Sequence, residues 1–280
     1  MKRSHRKRRT RRALLAFFCV IFLALIVLSA WKIYSILHGY QEAGRRYGDL
    51  AEVVSASFTP AAAEPSALPA ASSPSGEETP ELPQESALPQ ERSPVSVDFE
   101  ALRQISSDVV GWICLPDTVI SYPVAQSGDN AFYLEHFLDG SRISGGTLFA
   151  DCSCPSDFSG KNTIIYGHNM KDGSMFALID DYADQNLYEE HPFLYLNTPT
   201  QNYRLDIFSG FTTDPLSFVY TTAFASTEDF AAFLRSLYAF SEIDCRTAVS
   251  PDDRIVILST CTYSGEDVRF VVCGKLTAIG

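Results

Sequence analysis

The sequence predicts a mainly β fold with helices, of the α+β class, set behind a membrane segment. Three observations predict it. Short runs rich in β-branched and aromatic residues recur from Gly111 to Val272, separated by clusters of Gly, Pro, Asp and Ser. Helical spacing of apolar residues is confined to a few stretches. One uncharged apolar run, Ala13 to Ala30, stands near the N-terminus.

Taken in order, the chain begins with a basic tail at residues 1–12. Lys2, Arg3, Arg6, Lys7, Arg8, Arg9, Arg11 and Arg12 occur there with no acid, and setting these eight cations aside takes the net charge from −12 to −20. A basic tail on an acidic body suits nucleic acid or an anionic membrane surface. The apolar run that follows decides for the membrane, and no nucleic-acid partner is expected. Its eighteen residues, at about 1.5 Å each, span roughly 27 Å, the thickness of a bilayer core. Trp31 and Tyr34 suit the headgroup boundary. Residues 13–34 therefore read as a signal anchor with its N-terminus in the cytoplasm and the rest of the chain outside the cell. The competing reading is a cleaved signal peptide, with Leu28-Ser29-Ala30 as a poor cleavage site.

Residues 35–97 form a connecting stretch. Ser35 to Val54 is mixed and can continue as a helix. From Ser55 to Val97, Pro60, Pro65, Pro69, Pro74, Pro80, Pro83, Pro89 and Pro94 recur among Ala, Ser and Glu. Such a composition cannot bury enough apolar surface to order itself, so it reads as a disordered spacer.

Residues 98–280 are expected to fold as one domain. Phe99, Leu102 and Ile105 predict a short amphipathic helix. Gly111–Ile113, Thr118–Pro123, Gly146–Ala150 and Thr163–Tyr166 read as strands. A short helix is predicted over Ser174–Tyr182, and a hairpin joins Phe193–Leu196 to Tyr203–Phe211 around Thr198-Pro-Thr. Ser226-Thr-Glu-Asp229 fits a capping box, followed by an apolar stripe of Phe230, Phe233, Leu234 and Leu237. Ile255–Leu258 and Phe270–Val272 predict two strands joined through a Ser264-Gly-Glu-Asp267 turn.

Of the seven cysteines, Cys19 lies in the apolar run. Cys152 and Cys154 are too close in sequence for an ordinary bridge, and Cys273 reads as buried filler in a strand. No essential disulfide is expected.

Cys261 closes one predicted strand and Arg269 opens the next. On neighbouring antiparallel strands a guanidinium there favours the thiolate, the nucleophilic form. It also offers donors to the oxygen that turns negative when a carbonyl is attacked. Arg269 could instead be a solvated strand end or pair with Asp267. Among five histidines, His168 alone follows a buried-looking strand and a glycine, which makes it the candidate acid/base. Asn169 is a candidate to orient it.

With Leu258-Ser-Thr-Cys261, Arg269 eight positions on, and Tyr166-Gly-His168-Asn-Met upstream, the sequence resembles the sortase family, in particular its class B branch, over roughly residues 98–280. The resemblance implies a closed β-barrel of about eight strands, with an N-terminal helix and a helix inserted before the cysteine strand. It implies a cysteine transpeptidase of Gram-positive cell walls with Cys261, His168 and Arg269 catalytic, and Ser259, Tyr166 and Thr260 touching substrate. It further implies secreted proteins bearing a C-terminal sorting signal as substrates, a peptidoglycan amine as acceptor, and no cofactor. Two rivals stay open. A cysteine L,D-transpeptidase also uses Cys, His and Arg, but with Gly before the cysteine and the arginine close behind it. A tethered wall-binding domain would use none of the three.

Overall fold

The computed structural model describes residues 2–50, 54–56, 91–261 and 268–280, excluding the side chains of residues 2–14, 16, 55, 56 and 261. The Ser264-Gly-Glu-Asp267 turn and most of the proline-rich stretch lie outside the described residues.

Helix α1 runs Lys2–Leu50, longer than the 13–34 span read from the sequence. It is the one helix among the described residues that is long and apolar enough to cross a membrane, and its apolar part is exposed. That is compatible with an anchor or with a signal sequence. Its last turns leave the apolar segment and reach the folded domain, where Leu50 is buried. The two ends of the proline-rich stretch are not irregular throughout. Strands β1 (Val54–Ala56) and β2 (Val95–Val97) pair antiparallel, Val54 opposite Val97. β-Branched Val54, Val95 and Val97 supply the pairing propensity that the proline count conceals.

Helix α2 (Phe99–Ile105) is capped by Asp98, whose carboxylate accepts from Ala101 N at 2.9 Å. Eight strands then close a barrel: β3 (Val109–Cys114), β4 (Ser121–Ala125), β5 (Leu148–Ala150), β6 (Asn162–Tyr166), β7 (Phe193–Asn197), β8 (Asn202–Thr213), β9 (Ile255–Cys261) and β10 (Arg269–Ile279). Their order around it is β10-β8-β7-β3-β4-β5-β6-β9. The pairs β4–β5 and β6–β9 are parallel and the others antiparallel. Helices α3 (Ala177–Asp180), α4 (Gln185–Glu190) and α5 (Thr227–Phe240) complete the domain.

The runs 255–258 of β9 and 270–273 of β10 are apolar without a break because both of their faces are buried. Val256 and Leu258, with Phe270 and Val272, point into the barrel core. Ile255 and Ile257, with Val271 and Cys273, face a second core under α5. That core holds the stripe Phe230, Phe233, Leu234 and Leu237, packed on Phe208 and Phe211 of β8. Ser226 caps α5 by accepting from Asp229 N at 3.1 Å. Cys19, Cys114, Cys152, Cys154, Cys245 and Cys273 are free thiols.

Some local expectations shift. β4 starts at Ser121 rather than Thr118, because Thr118 is used in the turn. Its hydroxyl donates to Leu115 O at 2.8 Å and accepts from Ile120 N, behind Asp117 at φ 61°. The helix expected from Ser174 begins at Ala177 and ends at Asp180, passing into a 3-10 turn, Asp181–Ala183. Met175, at φ 58°, cannot join it, and its N–H is taken by the Tyr122 hydroxyl. Helix α4 was not foreseen; its only local signal is the cap Asp184, which accepts from Asn186 N.

Candidate active site

The cysteine strand lies between two partners, and each brings one of the other candidate residues. On one side the β9–β10 ladder sets Cys261 directly opposite Arg269. Directly opposed residues on antiparallel strands have Cβ atoms roughly 4.5–5.5 Å apart. On the other side β9 runs parallel to β6, and that ladder reaches Tyr166 opposite Ser259. It continues one step further as Gly167 N donates to Ser259 O at 3.1 Å. Cys261 and His168 thus stand two residues beyond the same paired rung, each at the end of its strand. The backbone brings all three residues to one end of the barrel; the side chain of Cys261 lies outside the described residues.

The chain can make this exit only because residue 167 is glycine. A Cβ there would run into a Leu148 methyl and stand 2.6 Å from the Phe176 ring. His168 is then held from two directions. Its carbonyl accepts from Phe176 N at 2.9 Å. Its Nε2 lies 2.9 Å from Leu134 O, and since a carbonyl only accepts, Nε2 carries the proton and donates. That tautomer leaves Nδ1 as the ring nitrogen able to exchange a proton. Asn169 donates from Nδ2 to Asp180 Oδ2 at 3.0 Å, which ties the segment after His168 to α3. Arg269 is half-buried and donates from Nη1 to Val268 O at 3.3 Å.

These residues border a cleft of about 300 Å³. His168, Arg269, Ser259, Thr260 and Tyr166 all line it, so the structure gathers every candidate catalytic and substrate-touching residue whose side chain is described, while Asn169 does not line it. Ser259 Oγ lies 3.0 Å from the Tyr220 hydroxyl. Thr260 Oγ1 is buried with no hydrogen-bond partner among the described residues, an arrangement that costs free energy. The Tyr166 ring stacks on Tyr220 with centroids 6.0 Å apart, and its hydroxyl donates to Asp151 Oδ2 at 2.9 Å. Burial, and then the Asp151 charge, push the Tyr166 phenol up, so it stays protonated. No group of His, Cys, Asp and Glu suited to a metal ion occurs among the described residues.

Sequence reasoning missed Asn130, Leu134, Asp151 and Tyr220. Asn130, Leu134 and Tyr220 line the cleft, and Asp151 lies directly behind Tyr166. None has a motif around it. Leu134 and Tyr220 end isolated 3-10 turns, Phe132–Leu134 and Phe218–Tyr220, that only the closed barrel brings to the cleft.

A family model described as the sortase domain matches residues 113–277. Sortase B of Listeria monocytogenes is 38% identical over 181 residues, covering 64% of this chain and 74% of the relative. Among solved structures, a Staphylococcus aureus sortase B–substrate complex superposes with a TM-score of 0.62 at 34% identity, covering 65% of this chain and 85% of its own. A sortase B from Bacillus anthracis in complex with AAEK1 gives 0.61 at 37% identity, covering 68% and 89%.

Proposed function

The chain belongs to the sortase family of cysteine transpeptidases, on its sortase B branch, and from that premise we propose that it cleaves a C-terminal sorting signal of secreted proteins and joins them to an amine of the cell wall. Cys261 is the nucleophile, Arg269 the oxyanion donor and His168 the acid/base. The observation that carries this reading is the pair of ladders flanking β9, which set Arg269 opposite Cys261 and bring His168 to the end of the adjacent strand.

The Cys261 thiolate adds to a backbone carbonyl of the signal, forming a C–S bond and an oxyanion beside the Arg269 guanidinium. The oxyanion collapses, the C–N bond breaks, and protonated His168 delivers its proton to the departing amine. A thioester remains. An incoming amine loses a proton to His168 as it attacks, the C–S bond breaks, and a new amide is released. Ser259, Thr260 and Tyr166 contact the signal peptide. Their place on the wall of the cleft supports that role. The apolar part of α1 holds the enzyme to the membrane in a single pass, with the basic tail on the cytoplasmic side and the barrel outside.

Full-length protein in detergent, incubated with a panel of sorting-signal peptides and an amine acceptor, is expected to give a cleaved peptide and a peptide–amine adduct by mass spectrometry. Cys261→Ala should leave every peptide intact. Cleavage by Cys261→Ala, or no cleavage of any peptide by the wild type, refutes the reading.

A further inference from the structure

The mechanism above leaves one buried carboxylate without a task. Asp151 follows β5 directly and is only 8% exposed. Its Oδ1 accepts from Ser153 N and Ser153 Oγ at 2.9 and 2.7 Å. Its Oδ2 accepts from the Tyr166 hydroxyl at 2.9 Å and from Asn130 Nδ2 at 2.8 Å. Tyr166 and Asn130 both line the cleft. The Asn130 amide is oriented at its other end as well, since its Oδ1 accepts from Cys152 N at 2.8 Å. Burial alone would raise the Asp151 carboxyl, but the donors Ser153, Tyr166 and Asn130 outweigh it and hold the carboxyl below its usual range.

An ionised carboxylate can only accept, which fixes the direction of every bond around it. The Tyr166 proton is committed to Asp151, so its oxygen can offer the cleft nothing but lone pairs. One Asn130 N–H is likewise committed, and its second N–H is a donor. We propose that Asp151 is a positioning residue for substrate binding, whose charge makes Tyr166 an acceptor and Asn130 a donor, a pair complementary to one amide group of the bound peptide. This rests on the peptide-substrate reading above.

Asp151→Asn tests it because the shape is kept and the polarity is not. With its oxygen retained by Ser153, the new amide would present N–H groups to two donors. The Tyr166 proton would have to turn toward the cleft, reversing what that residue offers.

The assay uses the full chain in detergent and the sorting-signal peptide that the wild type cleaves. Asp151→Asn is expected to raise KM about tenfold, as for one or two lost hydrogen bonds, with kcat within about threefold of wild type. Adding Tyr166→Phe to Asp151→Asn should cost much less than Tyr166→Phe costs alone, since both act through one phenol. A second readout needs no substrate. With 3-fluorotyrosine placed at 166, the ¹⁹F resonance should move in Asp151→Asn while the thermal midpoint stays close to that of the wild type. If the wild type cleaves no peptide, the proposed function fails, and the fluorine signal still decides the orientation of Tyr166. If Asp151→Asn does not fold, Tyr166→Phe and Asn130→Ala carry the test, and each should raise KM with kcat kept. An unmoved fluorine resonance, a loss confined to kcat, or effects that simply multiply would overturn the proposal.

Discussion

At the scale of single residues, the proposed mechanism gives Arg269 two separable tasks. Opposite Cys261, its guanidinium can favour the thiolate before substrate arrives and can stabilise the oxyanion afterwards. The first task is visible without turnover; the second is not. Arg269→Ala is expected to lower kcat on the cleaved peptide by about 10²–10³-fold, the usual cost of one lost oxyanion donor. Stopped-flow turnover alongside iodoacetamide labelling of the Cys261 peptide separates the two. If labelling slows as much as turnover, the guanidinium acts mainly on the thiol; if labelling is unchanged, it acts on the oxyanion. Activity near wild type removes Arg269 from the mechanism. The three candidate catalytic residues were legible in the sequence because each is announced locally, at a strand end, beside small or polar neighbours. Asn130, Asp151 and Tyr220 were not. Their place at the cleft is set by bonds to residues distant in the chain, such as Asn130 to Asp151 and Tyr220 to Ser259.

At the scale of elements, the site depends on how β6 ends. Gly167 passes between Leu148 of β5 and Phe176 at the start of α3 with no room for a methyl group. His168 follows at once, gripped by Phe176 N and Leu134 O. Gly167→Ala is therefore expected to cost about 1–3 kcal/mol of stability through overpacking and to displace the imidazole. Urea unfolding followed by circular dichroism gives the first effect, and kcat the second. Wild-type values in both would mean that the strand end has slack. The sequence made the strands readable as short apolar runs, and the α5 cap and stripe as a helix signature. The unbroken apolar run 255–258 reads as a buried strand, but the sequence could not show that α5 is the element covering its second face. Nor could it place the start of α3, where the left-handed Met175 is dictated by the Tyr122 hydroxyl across the barrel.

At the scale of the whole molecule, the long N-terminal helix α1 and the candidate active site are joined by contacts. Tyr47, near the end of α1, packs edge-on against Tyr122 and Phe137, with centroids 5.2 and 5.3 Å away. Arg46 lies over the Phe137 ring and pairs with Asp139 at 3.1 Å. The Tyr47 hydroxyl donates to Gly146 O, and Gly146 itself, at φ 56°, has no space for a side chain beside Tyr133 O and Leu134 O. The stretch that α1 grips is thus the one whose Leu134 carbonyl holds His168. Residues 35–50 gave little hint of this, since only a few positions near the helix end meet the domain and no long apolar stripe marks them. Leu50 is the anchor of the contact, 4% exposed within a core that includes Leu102, Trp112 and Phe137. Leu50→Ala is expected to lower stability by about 2–4 kcal/mol, as for other buried leucines. At about 2–4 °C per kcal/mol for a domain of this size, the melting midpoint of the full chain in detergent should fall by several degrees. Arg46→Ala, which removes a half-exposed ion pair, should cost no more than about 1 kcal/mol. The contrast between the two is the test: apolar burial sets the docking and the charge pair only trims it. Equal shifts would make the ion pair the true anchor, and an unmoved midpoint for Leu50→Ala would mean that the end of α1 does not rest on the barrel.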